Sequence, residues 1–172
     1  LKDLRLEVDY DLGWIYPELQ VVMPFSDGKY LALFSDPERS CESIKKFSPK
    51  DAEAFRDFAK WSQEATDLFL APASYVNPMP SLDQAARLEE NPITKRDDEL
   101  TGFTPKQIVD DIFENERVRA LFLYLACMWG MDYDLEGLGY LVPLMINRGW
   151  HFRLCRGGSH HLAHLMSKFI YR

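Results

Sequence analysis

A helix start followed by a long one-sided apolar run constrains this chain more than any other feature. Ser48-Pro49-Lys50-Asp51 offers a capping hydroxyl, a proline at the first helical position and an acid in the first turn. Behind it Ala52, Phe55, Phe58, Ala59, Ser62, Ala65 and Phe69 recur at three and four. That spacing puts them on one face of a helix ending near Ala71-Pro72. Such a helix needs an apolar partner, so the chain must build a core around it. With 47% of its 172 residues hydrophobic, it has the material to do so.

Partner elements can be read on both sides. Leu19–Phe25 and Lys29–Phe34 flank Ser26-Asp27-Gly28, an Asp-Gly turn between apolar runs, which predicts a β-hairpin. Pro24 puts its strand at an edge. Asp36-Pro37 starts a short helix through about Lys46, and Thr104-Pro105-Lys106-Gln107 starts another with Ile108, Val109, Ile112 and Phe113 inward. Asn115 marks a break before a helix holding Val118, Leu121, Phe122, Leu125, Cys127 and Trp129. That helix is apolar nearly all round, so it is expected at the centre of the core with Cys127 buried.

Elsewhere the signals are shorter. Leu4–Val8 alternates with period two and reads as a strand. Leu82–Leu88 reads as a short helix, and charged Glu89–Glu99 as a solvated loop. Gly130–Gly139 is a turn region, and Trp150–Cys155 reads as a strand. After Arg156-Gly157-Gly158, Ser159 is expected to cap a last helix with Leu162, Leu165, Met166, Phe169 and Ile170 inward. The resulting fold class is α+β: a small antiparallel sheet from the first quarter and the strand near Trp150, packed by four to five helices.

Charge and motifs exclude several functions. The net charge of −7 and the lack of a basic stripe argue against nucleic acid and against tight binding to anionic lipid. The longest apolar run, Ala120–Met131, is too short to span a bilayer. Three scattered cysteines imply no disulfide framework, and a cytoplasmic location is expected, with a membrane-peripheral one as the alternative. There is no G-x-G-x-x-G, no phosphate loop and no G-x-S-x-G elbow. His160 and His164 share a helical face and His161 is close, a spacing zinc can use, but no acid completes it; polar histidines at an inter-domain surface are the better reading, and no metal is expected. Asp132-Tyr133-Asp134-Leu135-Glu136-Gly137 starts like a calcium loop, yet Pro143 occupies the position of the closing glutamate. Among the aromatic residues of the second half, Trp129, Tyr140, Trp150 and Phe152 are candidates for lining an apolar pocket.

Three segments carry a resemblance: MPFSDGKYLALFSDPERSCESIKKFSPKDAEAFRDFAKW, the apolar helix and turn from Val118 to Gly139, and WHFRLCRGGSHHLAHL. In pattern and order they resemble the substrate domain of phytoene dehydrogenase-like (carotenoid desaturase and isomerase-like) FAD-dependent oxidoreductases. The resemblance implies that residues 1–172 are a substrate-binding domain fragment, with the FAD-binding Rossmann-type domain built from sequence outside it. It implies an apolar, polyene-like substrate that loses hydride or electrons, or is isomerised, at the flavin. It places Gly157, Gly158 and Ser159 close to that cofactor, which the chain alone is not expected to hold. A sequence that does not begin with Met and stops at Arg172 just after a helix fits the expectation of an excised piece. The alternatives are a stand-alone helical protein-interaction module without catalytic activity and, least favoured, a small metal hydrolase built on the histidines.

Overall fold

The hairpin forms where the Asp-Gly turn predicts it. In the computed structural model, which describes residues 4–73, 76–77, 80, 83, 86, 89 and 91–171, strands β2 (Leu19–Pro24) and β3 (Tyr30–Phe34) pair antiparallel around Gly28 at φ +80°. Leu31, Ala32 and Leu33 are all buried, because helix α2 (Pro37–Lys45) lies along the free edge of β3. Ser43 Oγ accepts from Ala32 N–H (2.9 Å) and Ser40 Oγ from Phe34 N–H (2.8 Å). Two helix hydroxyls thereby satisfy edge groups that would otherwise be buried unpaired. A preceding two-residue strand, β1 (Trp14–Ile15), belongs to a second sheet.

Helix α3 (Pro49–Ala65) is the central support, capped by Ser48 as the sequence indicates. Its helical path runs on to Ala73, as expected, but through a wider π-turn over Thr66–Leu70. The extra residue per turn rotates the buried face from Phe69, half-exposed here, to Leu70. Helices α4 (Pro92–Glu99), α5 (Pro105–Ile112), α6 (Glu116–Met128) and α7 (Val142–Arg148) follow. Capping by Thr104–Gln107 and by Asn115 sets the starts of α5 and α6. The core is a set of stacked rings: Phe113 on Phe122 (4.6 Å, 5° between planes), Phe122 on Phe55 (5.7 Å), and Phe55 edge-on to Trp150 (5.5 Å). The buried Asp51 carboxylate, from the first turn of α3, accepts from Glu114 N–H and Asn115 N–H at 2.9 Å each, locking α3 to the loop ahead of α6.

A smaller second cluster joins the two ends of the described chain. Leu6 and Leu12 pack against Leu165, with Trp14, Cys155 and Leu162 around them. β1 pairs antiparallel with β4 (Leu154–Cys155), and helix α8 (Ser159–Ile170) closes the lobe. The architecture is the expected α+β class, with its antiparallel pairing divided between two two-stranded sheets.

Several local expectations are corrected. Leu4–Val8 is not a strand; Arg5 turns left-handed (φ 49°) into the four-residue helix α1 (Leu6–Asp9), since Leu6 is drawn into the small cluster. Charged 92–99 is helical: the Asn91 side chain accepts from Ile93 N–H (2.9 Å) and Pro92 sits at the start. The strand expected over Trp150–Cys155 is confined to Leu154–Cys155, because Trp150 closes the turn after α7 and turns into the core. Cys127 is exposed, because α6 buries only the face of Val118, Leu121, Phe122, Leu125 and Ala126. Ser159 is not a cap; Gly158 holds that position, and no side chain caps α8. Of the α8 residues expected inward, Leu165 is buried and Leu162 half-buried, while Met166, Phe169 and Ile170 (73%) are exposed. Of the short helix expected over 82–88, residues 83 and 86 are described and both are helical; the other five lie outside the described set.

Candidate substrate face and glycine turn

α6 ends in a reversal that leaves an aromatic residue outside. Met131 N–H reaches back to Ala126 C=O (3.1 Å), Gly130 N–H to Cys127 C=O (2.9 Å), and Gly130 takes φ +76°. This glycine-terminated helix end points the chain away and leaves Trp129 at the surface, 47% exposed. The ring of Phe152 stacks on it (6.1 Å, 11°). Two residues on, Leu154 (56% exposed) pairs with Ile15 (48% exposed) across the β1–β4 ladder. In extended chain, positions 152 and 154 share a face. The stacked pair Trp129–Phe152 and the ladder pair Leu154–Ile15 follow each other along the chain, and together they are the candidate apolar strip.

The glycine turn follows β4 directly in sequence. Arg156 N–H donates to Gly13 C=O (2.9 Å) and Gly158 N–H to Cys155 C=O (2.9 Å). Gly157 and Gly158 both adopt φ +84°. A side chain at 157 would press on His161 at 3.3 Å, whereas one at 158 would meet nothing within 4 Å. The backbone at Gly158 is thus open to close approach by a flat group, and the first turn of α8 presents N–H groups with no side-chain cap.

The sequence candidates separate in space. Trp129 and Phe152 meet in the strip. Trp150 is 3% exposed, edge-on to Phe55 in the main core. Tyr140 lies half-buried in the 3-10 turn Gly139–Leu141, with no ring contact to the other three among the described residues. Ser159 is exposed at the first position of α8. Sequence reasoning missed Ile15 and Leu154, whose role depends on a pairing 139 positions apart. Among the described residues no group of histidine, cysteine, aspartate and glutamate could hold a metal ion. No helix of the described residues is long and apolar enough to cross a membrane.

Perturbed ionisable groups lie away from the strip. The Arg117 guanidinium holds Asp27 below the usual carboxylate range, Arg56 does the same to Glu38 through a two-point fork (2.8 Å each), and Lys50 to Glu114. Burial pushes the Cys41 thiol up. One cleft, about 390 Å³, is lined by Phe58, Leu100 and Ile108 together with Arg96 and Asp111.

No protein-family model matches the chain. It is similar to one of the limonene dehydrogenase subunits of Castellaniella defragrans, with 39% identity over 170 residues, 97% of this chain. The chain spans about 30% of that relative's length. What it resembles is therefore one stretch of a dehydrogenase subunit.

Proposed function

We propose that this chain is the substrate-facing part of an FAD-dependent oxidoreductase subunit that dehydrogenates an apolar hydrocarbon of terpene type. The observation that carries the reading is the 39% identity, sustained along nearly the whole chain, to a limonene dehydrogenase subunit. The exposed strip Trp129–Phe152–Leu154–Ile15 suits such a substrate, since a hydrocarbon offers no polar handle and is held by apolar and aromatic surface.

The turn residues fit a flavin edge at one point of its contour. Gly158 leaves space for a flat ring system, and the uncapped N–H groups of α8 favour an electron-rich atom there. Flavin, when bound, supplies the acceptor for the hydride that the substrate loses. In this reading the residues of this chain give the hydrocarbon an apolar face to lie on and orient it towards the glycine turn. The dinucleotide cradle lies outside this chain, so remaining polypeptide of the subunit has to provide it. The apolar outer face of α8, with Ile170 and Tyr171 (89% exposed), suits contact with that polypeptide or with a partner subunit.

Two titrations test the reading. Adding limonene to the isotopically labelled chain is expected to perturb the resonances of Trp129, Phe152 and Leu154 before any others. Mixing the chain with FAD is expected to leave no flavin in its gel-filtration peak. Limonene shifts confined to other surfaces, or stoichiometric flavin retained by the chain alone, would contradict the assignment.

A further inference from the structure

The hairpin is not regular, and its one irregularity faces the aromatic strip. Leu19 pairs with Phe34 and Val21 with Leu33, so β2 uses two steps where β3 uses one. Gln20 is the extra residue. A bulge of this kind leaves its residue out of the ladder and re-aims its side chain. Here the amide points across 132 positions of sequence onto the backbone of Phe152. Phe152 N–H donates to Gln20 Oε1 at 2.7 Å, and Gln20 Nε2 donates to Phe152 C=O at 3.4 Å and to Pro17 C=O. The side chain thus acts as a short strand partner for one residue of an otherwise unpaired segment.

That segment needs such a clamp. Trp150 is fixed in the core and Leu154 in the β1–β4 ladder, while 151–153 between them belong to no strand or helix. His151 is tied back to Asn147 C=O by Nδ1 (2.8 Å). Without Gln20, nothing else in the described hydrogen bonding holds the Phe152 backbone, and rotation there would carry its ring off Trp129.

We infer that Gln20 is a positioning residue: its bulge-directed amide sets Phe152 against Trp129 and so shapes the wall on which the hydrocarbon lies. The value of that wall to a substrate rests on the functional reading above; the positioning itself does not.

The test uses the full chain and its tryptophan indole N–H resonances. Gln20→Leu keeps the bulk and removes all three hydrogen bonds of the amide, two to Phe152 and one to Pro17. The Trp129 resonance is expected to move, while those of Trp61 and Trp150 stay in place. Gln20→Glu, which keeps the acceptor for Phe152 N–H, is expected to return Trp129 most of the way. Limonene should bind Gln20→Leu more weakly by roughly three- to tenfold, the worth of one displaced aromatic contact. An unmoved Trp129 resonance, or equal movement of all the tryptophans, would overturn the positioning role. If Trp129 responds but the unaltered chain binds no limonene, Gln20 keeps its role and the substrate reading fails. If limonene binds the chain and Gln20→Leu alike, the substrate reading stands and this inference fails.

Discussion

The body formed by the β2–β3 hairpin and α2–α7 and the lobe formed by α1, β1, β4 and α8 solve the same problem with unequal means. The body stacks Phe113, Phe122, Phe55 and Trp150 in one continuous cluster, and serine hydroxyls and the Asp51 carboxylate satisfy its buried backbone groups. The lobe buries three leucines and pairs two residues with two, leaving much of α8 uncovered. A region with so little buried apolar surface opens more easily than its neighbour. The apolar strip straddles the two: Trp129 is at the C-terminal cap of α6 in the body, Ile15 and Leu154 are in the ladder of the lobe, and Phe152 lies between.

The largest effect is expected where rings stack on both sides. Phe122→Ala should cost about 3–5 kcal/mol, read as a lower urea midpoint for the whole body. Next, Leu165→Ala should cost about 2 kcal/mol, low for a buried leucine because the lobe can close in on the gap. Hydrogen exchange should then show lost protection over 4–15 and 154–171 alone. Protection lost equally from α3 and α6 would mean the two regions are one cooperative unit.

How much of this is legible in the sequence follows the range of each signal. Caps are local chemistry, so Asp36, Ser48 and Thr104 announce α2, α3 and α5. Asn91-Pro92 is the same kind of signal, hidden by the charges that follow it. The π-turn at Thr66–Leu70 has no such mark, and it moves the buried position by one. The start of the lobe misleads because five alternating residues cannot distinguish a strand from a turn of helix around one buried leucine. In the site, the aromatic character of Trp129 and Phe152 is visible, whereas Trp150 looks like a member of the same surface although packing against Phe55 takes it inside. Gln20 gives no sequence signal, since a bulge appears only when the register of both strands is known.

Smaller changes sharpen the contrast further. Asp51→Asn keeps the shape but gives up one of two accepted backbone bonds, at about 1 kcal/mol, seen as a shifted urea midpoint with unchanged slope. The smallest effect concerns acid. The lowered carboxyls, Asp27, Glu38 and Glu114, lie in the body. Their stabilisation is complete above the ordinary values of 3.8 and 4.5 and is lost as pH falls through the lowered ones. Because these pairs are exposed, the loss should be slight and salt should mimic it. Glu38→Gln should flatten part of that acid slope in a urea–pH series.

The central claim is that a hydrocarbon bound on the Trp129–Phe152 strip gives up hydride to flavin at the glycine turn. Anaerobic addition of limonene to the flavin-loaded subunit that carries this segment tests it most directly. The account predicts bleaching of the oxidised flavin band, slowed strongly by Trp129→Ala at unchanged flavin content. A flavin band indifferent to limonene, or bleaching indifferent to Trp129→Ala, would contradict it.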